Sequence, residues 1–291
     1  MKSAIIGIAG TQLSEAESRL LRSHAPAGVI LFARNIGNPK QLAGLVAALR
    51  RDLPEESVLM IDQEGGRVAR LRPPHWPALP AAADLADREA ALLHGTQLGR
   101  ICRQAGFDVA TAPVLDLAWP GASSVIGDRA LGAEPDRVAT CGAAIAQGLM
   151  AEGIIPVMKH LPGHGRATLD SHFALPRVTA GLDELAADFA PFIANQNLPW
   201  AMTAHIVYTA LDDRPATLSP VVIERVIRGM IGFKGILMSD DLAMKALSGS
   251  PADLARATLA AGCDIALYCP GDEPGNQAVL EACPPFTRKL R

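Results

Sequence analysis

The sequence has no C-x-x-C pair. Its five cysteines, Cys102, Cys141, Cys263, Cys269 and Cys283, are odd in number and scattered, which argues against a disulfide framework or a cysteine zinc site and for a reducing compartment. A basic cluster with interleaved aromatics is also missing. With 27 basic and 30 acidic side chains the net charge is -3, so nucleic acid is not an expected partner. No apolar run reaches transmembrane length. The stretch from Lys2 to Gly10 has some signal-peptide character, but its apolar part is short and meets the charges of Glu15, Glu17 and Arg19. These absences predict a cytoplasmic protein away from membranes. Neither a linker nor a low-complexity segment divides the chain, and 291 residues, 49% of them hydrophobic, suit one domain over 1–291.

What is present is alternation. Short β-branched apolar runs, AIIGIA (from Ala4), GVILFA (Gly28), VLMID (Val58), FDVATAPV (Phe107), IIPVMKH (Ile154), PWAMTAHI (Pro199), GILMSDD (Gly235) and DIALYC (Asp264), are separated by Ala/Leu-rich helical segments. The helices are expected near 14–23, 39–51, 84–105, 134–151, 182–195, 219–230, 251–261 and, weakly, 275–283. Ser14 with Glu17 forms a capping box, and Asn38, Ser219 and Ser250 each precede a proline as N-cap. Eight strand–helix repeats predict an α/β fold, a (β/α)8 TIM-type barrel.

In such a barrel the carboxyl ends of the strands form the active site. Arg34, Asp62, Asp116, Lys159, His160, His205, Asp240 and Asp241 all fall there. Unpaired charges at buried strand ends are costly, so they must serve one another or a ligand. About twenty irregular residues after the fifth strand, carrying His164, Asp170 and His172, read as a mobile catalytic loop.

Each constellation has a plainer reading. In KHLPGHG (Lys159 to Gly165) an H-x-x-x-H spacing suggests zinc, but Pro162 and Gly163 forbid the helical turn it needs. Lys159 can be an ion-pair partner, a solvated charge or a Schiff-base lysine. Of Asp240 and Asp241 one can face the barrel mouth if the strand persists, and a helix N-cap explains the pair equally well. Asp170 can orient His172 for proton transfer, or merely form an Asx-turn. His24, His75 and His94 read as surface or packing residues.

Taken together, GVILFARN, IDQEGGRVARL (from Ile61), APVLDL (from Ala112), VIGDRALG (from Val125), KHLPGHG followed by DSH, MTAHIVY (from Met202) and GILMSDDLAMKAL resemble the β-N-acetylhexosaminidases of glycoside hydrolase family 3, in their single-domain bacterial form. They run in family order through nearly the whole chain. The resemblance implies a retaining exo-enzyme that releases terminal β-1,4-linked N-acetylglucosamine from peptidoglycan fragments (anhydro-muropeptides) during cell-wall recycling. It puts the nucleophile on Asp240, the acid/base on His172 with Asp170 as its partner, and sugar binding on Asp62, Arg70, Arg129, Lys159 and His160. A monomer is implied, with a small oligosaccharide or muropeptide as substrate and neither metal nor cofactor. Two departures stand out: Leu161 replaces an aromatic, and Pro284 and Pro285 shorten the C-terminal helical region, which bears on stability. The rival readings are a metal-dependent barrel hydrolase using His160, His164, His205 and an aspartate, and a sugar-binding protein without catalysis.

Overall fold

The structure, a computed structural model, describes residues 1–290. Its strands in chain order are β1 (Lys2–Gly7), β2 (Pro26–Leu31), β3 (Val58–Ile61), β4 (Val109–Ala110), β5 (Ile155–Leu161), β6 (Arg177–Val178), β7 (Trp200–Thr203), β8 (Val207–Tyr208), β9 (Ile236–Asp241) and β10 (Ile265–Tyr268). Eight of them close a parallel barrel in the order β1-β2-β3-β4-β5-β7-β9-β10, with β10 returning to β1. The expected (β/α)8 barrel is the fold. The two-residue strands β6 and β8 pair with each other outside it.

Around the barrel lie α1 (Glu15–His24), α2 (Pro39–Asp52), α3 (Arg88–Gln104), α4 (Pro135–Ala151), α5 (Leu182–Ala194), α6 (Pro251–Ala261) and α7 (Glu273–Ala282), with a π-type helix over Val222–Met230 between β8 and β9. Their starts follow local chemistry. Ser14 and Glu17 cap α1 reciprocally, at 3.1 and 2.8 Å, and Asn38 accepts from the Gln41 amide at 3.0 Å. α3 begins later than its composition suggests: 82–84 is a 3-10 turn, and Asp87 supplies the cap through the Ala90 amide. β4 is also shorter than expected, because Pro113 has no N–H to give to the ladder.

Strand alternation sorts the core into two shells. Ile5, Ile30, Val58, Met60, Val109, Val157, Trp200, Met202, Ile236, Met238, Ile265 and Leu267 fill the barrel interior. Their neighbours in sequence, such as Ala4, Ile6, Leu59, Ile61 and Leu237, pack outward under the helices. The chain after α7 closes the amino end of the barrel. Phe286 donates its amide to the Met1 carbonyl at 2.7 Å, Trp200 Nε1 donates to the Leu290 carbonyl at 3.2 Å, and Leu290 is buried in the interior cluster. The two prolines that stop the last helix therefore lead into a plug for that end. No helix among the described residues is long and apolar enough to cross a membrane.

Candidate active site

The inward parity that places aliphatic side chains inside the barrel also places the polar ones above them. Beyond Ile30 comes Phe32, beyond Met60 comes Asp62, and beyond Val109 comes Thr111. In the same way Val157 leads to Lys159, Met238 to Asp240 and Leu267 to Cys269. All six line one cavity of about 590 Å³ at the carboxyl ends of the strands. Arg70, Arg129, His160, His164, Asp170 and His172 line it too, so every residue to which the resemblance gives a role reaches the same space, whereas the strand-end candidates Asp116 and His205 lie buried behind it.

One wall is a fixed ion network. Asp62 accepts from Thr111 Oγ1 at 2.6 Å and from Lys159 Nζ at 3.2 Å, and its other oxygen pairs with Arg70. Lys159, whose side chain is 3% exposed, also lies 2.6 Å from Glu64 Oε1. Arg129 grips Glu64 with Nε and a terminal nitrogen at 2.9 and 2.8 Å. Burial by itself would raise both carboxyls. The Lys159 and Arg70 cations outweigh it at Asp62, and Arg129 and Lys159 at Glu64, so both are held below the usual carboxylate range. Lys159 is thus an ion-pair partner, the plainest of its three readings.

Glu64 was not singled out from the sequence. It sits in IDQEGGR between residues that were, and His94 Nε2, 2.7 Å from the Glu64 carbonyl, fixes its backbone. His94 is therefore more than packing.

His160 departs from simple alternation. It follows Lys159 directly, and where the β5–β7 register shifts both side chains line the cavity. Its Nδ1 lies 2.6 Å from Asp116 Oδ2, and the other Asp116 oxygen accepts the His164 amide at 2.6 Å. Asp116, fully buried, organises this corner.

Asp240 and Asp241 both border the cavity but are held differently. Asp241 Oδ1 accepts from the Ala243 and Cys269 amides, both at 3.0 Å, and burial pushes its carboxyl up. It braces the turn after β9. Asp240 continues the inward series, and its Oδ1 accepts the Asp241 amide at 2.8 Å. Burial opposes its charge, but His205, His160 and Lys159 together bring its carboxyl below the ordinary value. An ionised, half-buried carboxylate therefore faces the cavity.

A second wall is the segment after β5. Asp170 Oδ1 accepts both the His172 amide, at 2.8 Å, and a contact from the His172 ring at Nδ1, at 2.7 Å. The Asx-turn and the oriented imidazole are one and the same arrangement. The segment is anchored at both ends: β6 pairs with β8, and Arg166 lies over Trp119 and bonds Asp188 at 2.6 Å. Between these anchors, Leu169, His172 and Phe173 are exposed.

A shared metal has no ready ligand set here. His205 has both ring nitrogens engaged, by Thr217 at 2.7 Å and by the Asp241 carbonyl at 2.9 Å. Among the described residues no three His, Cys, Asp or Glu side chains converge as a metal site.

A parallel barrel with ionised carboxylates, cations and an oriented imidazole around one cavity at its carboxyl end has the make-up of a barrel enzyme's active site. Residues 2–283 match the Glycosyl hydrolase family 3 N terminal domain, and the chain belongs to that family. Among its relatives, the Beta-hexosaminidase of Bordetella avium (strain 197N) is 39% identical over 303 residues, spanning 99% of this chain and 86% of that protein. NagZ from Neisseria gonorrhoeae, solved in complex with N-trifluoroacetyl-D-glucosamine, superimposes with a TM-score of 0.89 at 35% identity, over 99% of this chain and 87% of that one. A glycoside hydrolase family 3 beta-N-acetylglucosaminidase from Paenibacillus sp. also gives 0.89 at 33% identity, over 96% of this chain but 56% of that longer one.

Proposed function

We propose that the protein is a retaining exo-β-N-acetylhexosaminidase that removes terminal β-1,4-linked N-acetylglucosamine from peptidoglycan fragments, with residues 1–291 as one catalytic domain. The observation that carries this reading is the shared cavity of Asp240 and the Asp170–His172 pair, lined as well by Asp62 and Lys159 of the Asp62–Lys159–Glu64 network. The names of the relatives support the sugar, and the cavity volume suits a terminal pyranose ring.

In the first step Asp240, ionised, attacks the anomeric carbon while His172 gives a proton to the leaving oxygen. In the second His172 takes a proton from water, which displaces Asp240. Asp170 holds the imidazole through Nδ1, leaving Nε2 for the transfer. Asp62, Arg70, Arg129, Lys159 and His160 bind the sugar's polar groups. Because Arg129 already holds Glu64 and Lys159 already holds Asp62, these donors are fixed before substrate arrives, and positioning costs little reorganisation.

Mass spectrometry after incubation with a 5-fluoro N-acetylglucosaminyl fluoride tests this. A covalent sugar on the peptide containing Asp240 is expected. An unlabelled protein that still turns over with retention would mean attack by the substrate's own acetamido group, and the nucleophile assignment would fall.

A further inference from the structure

We propose that His164 is a positioning residue for the Asp170–His172 pair, acting through Ser171. The inference rests on the reading of His172 as the acid/base group. Ser171 is 2% exposed although it stands between half-exposed Asp170 and exposed His172. Its Oγ lies 3.1 Å from His164 Nε2, and its carbonyl accepts the Ala246 amide at 3.2 Å. The DSH turn is thus tied at its middle residue to two different places, the segment leaving β5 and the segment leaving β9. Tying the middle fixes the residues on either side.

The other end of this tie is rigid. The His164 amide donates to fully buried Asp116 at 2.6 Å, and its ring meets the His160 ring edge-on at 5.6 Å between centroids. Asp116 therefore sets both the cavity-facing His160 and, through His164, the turn that carries His172.

The choice of residue is informative. His164 is buried, and its Nδ1 has no hydrogen-bond partner among the described residues. A buried polar atom left unpaired costs free energy, so an apolar side chain would be the more stable filler. What the imidazole adds is the bond to Ser171. Burial, with His160 adding to it, pushes the His164 pKa down to about 4, so the ring is neutral near pH 7 and Nε2 can accept the Ser171 hydroxyl.

The test compares Ser171→Ala, His164→Leu, His164→Gln and the Ser171→Ala/His164→Leu double variant, with His172→Ala as reference. Substrates are an N-acetylglucosaminyl disaccharide, whose leaving group needs a proton, and a dinitrophenyl N-acetylglucosaminide, whose leaving group does not. Ser171→Ala and His164→Leu should each lower kcat on the disaccharide roughly tenfold, the scale of one lost hydrogen bond, with KM little changed. The double variant should lose no more than either single one. His164→Gln, whose amide reaches the place of Nε2, should keep most of the activity. First-turnover release of dinitrophenolate should stay within about twofold throughout, since no proton is needed there. Equal loss on both substrates, additive losses, or no loss would overturn the proposal. If His172→Ala discriminates between the substrates and Ser171→Ala does not, the tie alone is wrong. If His172→Ala does not discriminate either, the acid/base reading falls and this proposal with it. Ser171→Ala, the smallest change, decides the matter should His164→Leu not fold.

Discussion

Lys159 and His172 line the same cavity, and they are held in opposite ways. The Lys159 side chain is 3% exposed and lies within hydrogen-bond reach of Thr111, Asp62 and Glu64, residues that follow two neighbouring strands of the barrel, β4 and β3. The His172 side chain is 58% exposed and leans on Asp170, two residues away. Strand ends can fix a group to within fractions of an ångström because the barrel is already packed beneath them. The turn that carries His172 has no such floor and is held through Asp170 and the ties of Ser171. The division suits a reaction in which one group must be ready before substrate arrives and another must let the leaving sugar in and out.

The comparison breaks most sharply at Asp240, the nucleophile proposed on the fixed wall. Asp240→Ala should lose roughly 10⁴–10⁶ in kcat/KM with every leaving group, because no covalent intermediate can form. Assays with disaccharide and dinitrophenyl substrates check this; substantial turnover of either would move the nucleophile elsewhere.

On the loop wall, His172→Ala should lose about 10²–10⁴ on the disaccharide, the usual range for lost acid catalysis. With the dinitrophenyl substrate the same variant should show a normal first-turnover burst and then stall. A burst as weak as the disaccharide rate would remove His172 from the acid role.

The two walls also differed in how far they could be read from the sequence. Asp62, Lys159 and Asp240 were legible as strand-end charges, and period-two counting was enough to say that one of Asp240 and Asp241 faces inward. It could not say which, because parity becomes absolute only when Met238 is known to lie inside the barrel. Glu64 was missed since it stands past the end of β3, where no period applies, and its partner Arg129 is 65 residues away. The bonds of Ser171 were invisible for the same reason. Its neighbours advertise chemistry, whereas a serine in a loop advertises only a turn. The fold itself was nearly all there, helped by capping boxes and prolines. The exceptions were the proline-shortened β4 and the two-residue strands β6 and β8, too short to leave a pattern.

Stability should separate the walls as well. Lys159→Met leaves Asp62 and Glu64 facing each other without their shared cation, and breaking a buried ion network in this way should cost about 3–5 kcal/mol. The pH dependence follows from sign. Both carboxyls lie below their usual range in the folded protein, so the stability they confer is present above about pH 4, the unfolded value, and is lost as pH falls through the folded ones. Without Lys159 they take up protons at higher pH. The gap between variant and wild type should therefore narrow as pH drops from about 5 to 3, measured by urea midpoints. A gap independent of pH would mean that Lys159 acts through packing and not through charge.

The smallest effect expected is in hydrogen exchange, and it addresses the loop wall without altering it. In β5 the Lys159 amide donates to the Pro113 carbonyl at 3.1 Å and the Val157 amide to the Ala112 carbonyl at 2.9 Å, both deep in the barrel, so they should exchange by global unfolding alone. Between Arg166 and β6, the exposed stretch around Leu169 and Phe173 is held by a bond of its own turn, the Phe173 amide donating to the Asp170 carbonyl at 3.0 Å, and by the ties of Ser171 alone to its surroundings. These amides should exchange through local opening. If the segment from Leu161 to Gly181 closes over bound sugar, a saturating N-acetylglucosamine-like inhibitor should slow them by roughly tenfold, the protection expected when about 1.4 kcal/mol of binding energy is shared with closure. The β5 amides should slow only by the global stabilisation that binding brings. Equal slowing in both regions would make the loop as rigid as the barrel wall, and the contrast between Lys159 and His172 would then be one of exposure and not of motion.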